Sequence, residues 1–380
     1  MKSLARRLPL APPIPMARPS LGKLERQLVE RVLRGDVLAL GPFAREFEAG
    51  IAALAHRRFG IACSSGTAGL HLAVRALSIG EGDEVITSPF SFVASANCIL
   101  YERARPRFVD IEEETLGLDP GHVSAAASAR TRAILPVHVF GRPCKIAEMV
   151  DIARHNGWRL IEDACEAVGS STHGQPAGSF GDVSVFAFYP NKQITTGEGG
   201  VVVTDDPDLA GLVRSLGNQG RDEEVVWLRH VRLGYNYRMD ELSAALGVGQ
   251  LQRRAELCAA RLRVAWWYKE AMRDIEWLQL PAAGPHDEVD WFVFVIRLHR
   301  EIDRDGVISA LAATRIASRP YFTPLHLQPL YRDAFGYRPG DFPVAERVAA
   351  STLALPFWAG MTEREVEYVA DALVRAVRPA

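Results

Sequence analysis

Residues Gly60–Ile79 read GIACSSGTAGLHLAVRALSI: a short β-prone run, a turn through Ser65, Gly66 and Thr67, then an apolar helical stretch. The unit recurs. DEVITSP leads into SFVASANCILYERA, RPRFVDI and TRAILPVHVF follow as β-prone runs, KIAEMVDIARHNG is helical, and WRLIEDA ends the series as a further strand. Strands alternating with helical patterns predict an α/β chain with a mostly parallel sheet flanked by helices. VSVFAF and GGVVVTDD add two strands joined by the loop around Lys192, with a helix from Asp206 to Leu216. Upstream, KLERQLVERVLRG and FAREFEAGIAALAHRRFG carry apolar residues at helical spacing. From about Asp240, ELSAALGVGQLQRRAELCAARLRVAWWYKEAM reads as one long helical stretch, followed by a strand, DWFVFVIRL, a helix near GVISALAAT and a last helix, TEREVEYVADALVRAV. At 380 residues the chain exceeds the size at which one core stops growing. The expected organisation is an N-terminal arm over residues 1–20, a large domain over 21–245 and a smaller C-terminal α/β domain over 246–380.

A formal charge of −2 leaves no positive excess to attract nucleic acid or an anionic membrane. The five cysteines are odd in number and scattered, without the paired spacing of a zinc site or a disulfide framework, and read as reduced thiols. The apolar run near the start is broken by prolines, and no stretch of about 18 apolar residues occurs. These features predict a soluble cytoplasmic protein that acts on small molecules, with no metal, nucleic acid or membrane partner.

Four local features point to one chemistry. In AFYPNKQITTGEGG, Ala187–Gly200, Lys192 sits among aromatic, turn and glycine residues, in a chain that has only five lysines among 44 basic residues. An amine that can lose its proton forms a Schiff base with an aldehyde, whereas a guanidinium stays charged. Asp163 follows the apolar WRLI and falls at the carboxyl end of a buried strand, where open α/β sheets bind ligands. A carboxylate there keeps a pyridine nitrogen protonated; taken alone, the residue reads first as a helix N-cap, with Glu162 as a neighbouring first-turn acid. Ser65, Gly66 and Thr67 precede a helix whose free N–H groups suit a phosphate, although Ser and Thr at such a place are also ordinary caps. Of Phe90 and Phe92 in SPFSFVASAN, one can stack on a flat ring or both can pack in the core. An amine, a carboxylate, a phosphate cradle and an aromatic face are together what pyridoxal phosphate requires.

The same segments resemble the DegT/DnrJ/EryC1/StrS sugar aminotransferases, pyridoxal phosphate enzymes of fold type I. The resemblance runs from about Leu33 to the C-terminus through SSGTAGLHLAVRAL, GDEVITSPFSFVASANCIL, PRFVDIEEETLGLD, IEDACEAVGS, FYPNKQITTGEGG, LGYNYRMDELSAALGVGQL, PLHLQPLY and DFPVAERVAASTLALP. It implies that Lys192 carries the cofactor, Asp163 faces the pyridine nitrogen, Ser65, Gly66 and Thr67 form the phosphate site, and Phe92 stacks on the ring. It also implies that Asn236 of GYNYR, with Arg238 nearby, reaches the partner subunit's site, so that an obligate homodimer shares its active sites. Two positions depart from the family pattern. Glu166 stands where many members have a glutamine near the cofactor's ring hydroxyl, and Ala187 stands where many have a phosphate-binding serine.

Members that remove a sugar hydroxyl instead of adding an amine replace the lysine with histidine, so Lys192 favours transamination. The resemblance implies transfer of an amine from L-glutamate to a nucleotide-diphospho keto-sugar. The acceptor is expected to be a 4-keto-6-deoxyhexose, as in perosamine synthases, or less often a 3-keto sugar, in the synthesis of a polysaccharide or a secondary metabolite. Arg319, Tyr321 and His326 are candidates for the sugar or diphosphate pocket; His326 reads equally as a core histidine. A cyclitol aminotransferase and a non-catalytic binding relative are the alternatives.

Overall fold

The structure is a computed structural model that describes residues 13–221 and 229–377; residues 1–12 of the expected arm lie outside it. Its central sheet has seven strands, β1 (Phe59–Cys63), β2 (Glu84–Thr87), β3 (Arg105–Phe108), β4 (Thr131–Leu135), β5 (Arg159–Asp163), β6 (Val183–Ala187) and β7 (Gly200–Thr204). They lie in the order β1-β7-β6-β5-β4-β2-β3. β7 is antiparallel to both of its neighbours, and every other pairing is parallel. Six strands therefore point the same way. Their carboxyl ends lie along one edge of the sheet, where the amino end of β7, Gly200, joins them.

Strands covered on both faces read as continuous apolar runs, and β2, β6 and β7 are buried at every position. The two-residue period divides them. Val85, Leu135, Ile161, Val185 and Val202 enter one apolar cluster, whereas Ile86, Ile134, Leu160, Phe186, Val201 and Val203 enter clusters that include the opposite face. Helices fill both sides; Gly66–Ala76 alone buries Leu70, Leu72 and Val74 completely. Full burial of a side chain of this size stabilises the fold by about 1.5–3 kcal/mol.

A second, antiparallel sheet is made of β8 (Leu278–Gln279), β9 (Phe294–Leu298) and β10 (Thr352–Leu355). The helices Arg254–Met272 and Glu363–Val377 bring Val264, Tyr268, Met272, Val366, Val369 and Leu373 to a core around Phe294 and Ile296. The stretch that reads as one long helix is two, Glu241–Gln252 and Arg254–Met272. The break falls at Arg253, at φ −95° and ψ 4°, whose guanidinium pairs with Glu25 at 2.6 Å and Glu256 at 2.8 Å. Helices Pro329–Phe335 and Pro343–Ser351 and strand β10 are not among the expected elements, although Ala345, Val348 and Ala349 do bury one face of the second helix. Each of these helices opens on a proline, a residue that reads as a breaker in sequence yet fits the first helical position.

Candidate functional site

At the carboxyl edge of the central sheet lies a cavity of ≈ 540 Å³. Ser65, Gly66 and Thr67 enter it after β1, Ser91, Phe92 and Ser95 after β2, Val137 after β4, Asp163, Cys165 and Glu166 from β5, and Ala187 and Lys192 from β6. Because the strands are parallel, segments more than 120 residues apart in sequence meet at one edge.

The first wall is a helix start. Ser65 caps the helix Gly66–Ala76, its hydroxyl accepting from Ala68 N–H at 3.1 Å. The opening N–H groups of a helix lack intrahelical acceptors, which leaves those of Gly66 and Thr67 for an anion. Backbone approach is close here. A Cβ at Gly66 would stand 2.6 Å from Ala187 Cβ, and one at Gly200 would stand 2.5 Å from the Ser65 carbonyl oxygen. Glycine at these two positions is what lets the cradle sit against β6 and β7.

Asp163 forms the floor and is almost fully buried. No helix follows it, so the N-cap reading does not hold; residues 164–170 are turns. Its Oδ2 accepts from Ser95 Oγ at 2.7 Å, and its Oδ1 accepts from Cys165 N–H at 3.2 Å. Ser91 Oγ lies 2.7 Å from Ser95 Oγ. Since Ser95 donates its proton to Asp163, Ser91 donates to Ser95, and the hydroxyls run in one direction towards the carboxylate. Glu162, one residue earlier, points to the opposite face. It accepts from His138 Nε2 at 2.8 Å, from Phe180 N–H at 3.0 Å and from Ser184 Oγ at 3.1 Å. Burial alone would raise its pKa, but His138 and these donors outweigh burial and hold it below the usual carboxylate range. Period-two alternation thus gives one acid to the cavity and the other to the packing behind it.

Lys192 Nζ lies 3.5 Å from Glu166 Oε1 and 3.9 Å from the centroid of the Phe292 ring. Glu166 Oε2 accepts from the Phe140 N–H at 2.8 Å, so the carboxyl is held from behind and offers its other oxygen to the amine. Burial raises the Glu166 pKa; the Lys192 ammonium and the Phe140 N–H oppose the rise, and the Asp163 carboxylate adds to it.

Not every residue singled out in the sequence reaches the cavity. Phe92 lines it and is 60% exposed, whereas Phe90 is fully buried against Phe140 and Phe322. Tyr321 lines it too. Arg319 does not: it is exposed, its backbone pairs with Ala354, and its guanidinium donates to the Ser318 carbonyl. Asn236 is exposed on a bridge to Asn218, and Arg238 donates to Asn218 Oδ1 and Gln219 Oε1, both at 2.9 Å. Neither lines this chain's own cavity. His326 is corrected to a core residue. It has no exposed surface, bonds Glu346 Oε1 at 3.0 Å and packs edge-on against Phe342. Sequence reading missed Ser91, Ser95, Tyr189, Phe292 and Phe322. Ser91 stands in the bend before the helix Ala94–Tyr101 and Ser95 in its first turn, so no helical period pairs them in the sequence; Phe292, 100 residues beyond Lys192, leaves no signal either.

An amine, a buried carboxylate and a helix start at the carboxyl edge of such a sheet define a pyridoxal-phosphate enzyme of fold type I. The chain belongs to the DegT/DnrJ/EryC1/StrS aminotransferase family, whose profile matches residues 19–374. It is 39% identical over 370 residues to GDP-perosamine synthase of Caulobacter vibrioides, covering 95% of this chain and 98% of that one. It is 36% identical over 351 residues to UDP-N-acetyl-3-dehydro-alpha-D-glucosamine 3-aminotransferase of Acidithiobacillus ferrooxidans, covering 92% of each. The crystal structure of S. venezuelae DesV in complex with a ketimine intermediate superposes with a TM-score of 0.89 at 31% identity, covering 97% of this chain and 100% of that one. The protein is a nucleotide-sugar aminotransferase, and its cofactor is pyridoxal 5′-phosphate.

The residues present fit that cofactor. Asp163 is buried with only neutral donors, leaving a carboxylate for a protonated ring nitrogen. Gly66 and Gly200, having no Cβ, let the helix start close against β6 and β7, where the N–H groups of Gly66 and Thr67 suit a phosphate. Among the described residues there is no cluster suited to a metal ion, and no helix is long and apolar enough to cross a membrane.

Proposed function

We propose that this enzyme takes the amino group of L-glutamate and gives it to a nucleotide-linked 4-keto-6-deoxyhexose. Pyridoxal phosphate, when bound, supplies an electron sink for the carbon that loses or gains a proton. The protein's own groups do the rest. Lys192 would carry the cofactor and move the proton at the substrate carbon, with the Glu166 carboxyl 3.5 Å from its amine and able to interact with the cofactor's ring hydroxyl. Asp163, held by Ser95, keeps the ring nitrogen protonated, and a charge-assisted bond of this kind is worth roughly 1.5–3 kcal/mol. Gly66 and Thr67 would hold the phosphate, and Phe92 would stack on the ring.

The observation that carries the reading is the placement of Lys192 and Asp163 in one cavity whose wall is in part aromatic, lined by Phe92, Tyr189, Phe292, Tyr321 and Phe322. Such a wall suits the apolar faces and methyl group of a deoxy sugar. Likeness to GDP-perosamine synthase favours the 4-keto position, and likeness to the 3-aminotransferase keeps a 3-keto sugar as the second choice. Asn236 is exposed and Arg238 half-buried in a stretch that also exposes Val231 and Leu233, which supports a homodimer in which these residues serve the partner's site. Arg319 at the surface is the remaining candidate for a diphosphate.

The test is the visible spectrum of the cofactor-loaded protein. Addition of L-glutamate without acceptor should bleach the band, and a GDP- or dTDP-linked 4-keto-6-deoxyhexose should restore it faster than a 3-keto sugar or a keto-cyclitol. A band indifferent to glutamate sinks the donor assignment. A Lys192→Ala protein that keeps its biological role would point to the non-catalytic alternative.

A further inference from the structure

Behind the Lys192 loop lies a buried cation to which the reaction assigns no part. Arg261, on the helix Arg254–Met272, is 4% exposed. Buried arginines normally face a carboxylate. The nearest acid here is Asp290, whose Oδ2 pairs instead with Arg254 at 3.3 Å. The Arg261 guanidinium is directed at main-chain carbonyls: Nη2 donates to Lys192 O at 2.7 Å and to Asn191 O at 3.4 Å, and Nη1 donates to Phe292 O at 3.1 Å and to Trp291 O at 3.4 Å. Its Nε has no partner.

Those two pairs of carbonyls belong to the two segments whose side chains meet in the cavity. Lys192 supplies the amine, and Phe292 supplies the ring that lies 3.9 Å beneath it. Gln193 repeats the device one residue on, its amide donating to Glu166 O at 2.6 Å and to Asp290 O at 2.8 Å. The amine, the ring and the Glu166 carboxyl are thus referred to one another through a single polar scaffold at their backs. A planar fork with donors on both arms can span two strands of chain; an ammonium on a flexible stem cannot.

We propose that Arg261 is a positioning residue for Lys192, fixing the amine between the Phe292 ring and the Glu166 carboxyl by clamping the carbonyls of residues 192 and 292. The inference rests on the reading of Lys192 as the cofactor-bearing residue. Besides Lys192 and Arg261, the charged and titratable groups around this assembly include Glu166, Asp163, Cys165, Tyr189 and Tyr321 on the cavity side, and Asp290, Cys258 and Arg254 behind it.

The test uses Arg261→Lys, which keeps the charge without the fork, and Arg261→Gln, which keeps two donors without the charge. Three quantities are measured on each full-length protein: the pH midpoint of the visible band of the bound cofactor, the cofactor dissociation constant, and the thermal midpoint. Loss of positioning should move the band's midpoint by about half a unit or more in both variants. It should also weaken cofactor binding about tenfold. If Arg261 only packs the helix, thermal midpoints fall while the band's midpoint and the dissociation constant of folded protein stay as they were, which overturns the proposal. Full rescue of both by lysine also overturns it, since charge would then suffice. Should Arg261→Gln not fold, Arg261→Lys alone decides between these outcomes. Absence of any lysine-borne band in the unaltered protein would remove the reading of Lys192 and this inference together.

Discussion

Replacing Gly66 with alanine tests the cradle where its packing is tightest. The new methyl would stand 2.6 Å from Ala187 Cβ and 3.0 Å from Cys165 Sγ, and neither neighbour is the end of a flexible chain. Overpacking of this kind costs about 1–3 kcal/mol. The helix start can relieve it only by backing away from β6, which withdraws the Gly66 and Thr67 N–H groups from the phosphate while leaving Asp163 and Lys192 in place. If the whole cost falls on that contact, the dissociation constant of pyridoxal 5′-phosphate rises roughly 5- to 150-fold. Pyridoxal, which has no phosphate, should bind Gly66→Ala and unaltered protein alike. Titration of the apoprotein with each ligand, followed by absorbance, gives both numbers. A second substitution sharpens the case: Ala187→Gly in the same chain removes the methyl at 2.6 Å, leaves Cys165 Sγ at 3.0 Å as the nearest neighbour, and should recover most of the lost affinity. Equal losses for the two ligands, or no recovery in the double variant, would refute the assignment of this helix start to the phosphate.

Ser95→Ala removes the hydroxyl that donates to Asp163 at 2.7 Å; loss of about 1.5–3 kcal/mol should lower kcat about ten- to a hundredfold, with Ser95→Thr restoring most of it in a steady-state assay. Glu166→Gln concerns a carboxyl whose folded pKa is raised by burial from 4.5, so its contribution to stability is present below that value and lost as pH rises through the folded pKa. The glutamine variant should therefore gain urea resistance relative to the unaltered protein at pH 8 and not at pH 4, and equal differences at both pH values would contradict the cause given. His326 titrates in the opposite sense. Burial depresses its folded pKa below 6.5, the Glu346 carboxylate only partly opposing, so the neutral ring stabilises the fold above 6.5 and this stability is lost as pH falls through the folded value. In His326→Gln, denaturant midpoints should fall less between pH 7.5 and 5 than in the unaltered protein.

How far this molecule was legible in its sequence follows from the polarity of its sheet. Lys192, Asp163 and Gly66 are each signalled locally, by a turn, a strand end and a helix start, and a parallel sheet converts strand ends that are far apart in sequence into neighbours at one edge. Where that rule governs, local reading suffices. It fails where a side chain arrives from the second sheet: Phe292 precedes β9, and its ring reaches Lys192 only because Arg261 and Gln193 tie the two segments by their carbonyls. No periodicity marks such a residue, since its position is set by main-chain acceptors that carry no sequence signature. The same limit explains His326. A histidine in a loop beside Tyr321 reads as a pocket residue, yet Glu346, 20 residues on and on a helix opened by proline, supplies the partner that keeps it in the core. Asp163 shows the converse, for its cap reading was sound local chemistry that failed because turns, not a helix, follow the strand. What turned the balance there was the company of Lys192 and the glycine cradle, each weak alone. Three weak local signals that share one strand edge constrain a site more tightly than one strong motif, because the sheet leaves them a single place to meet.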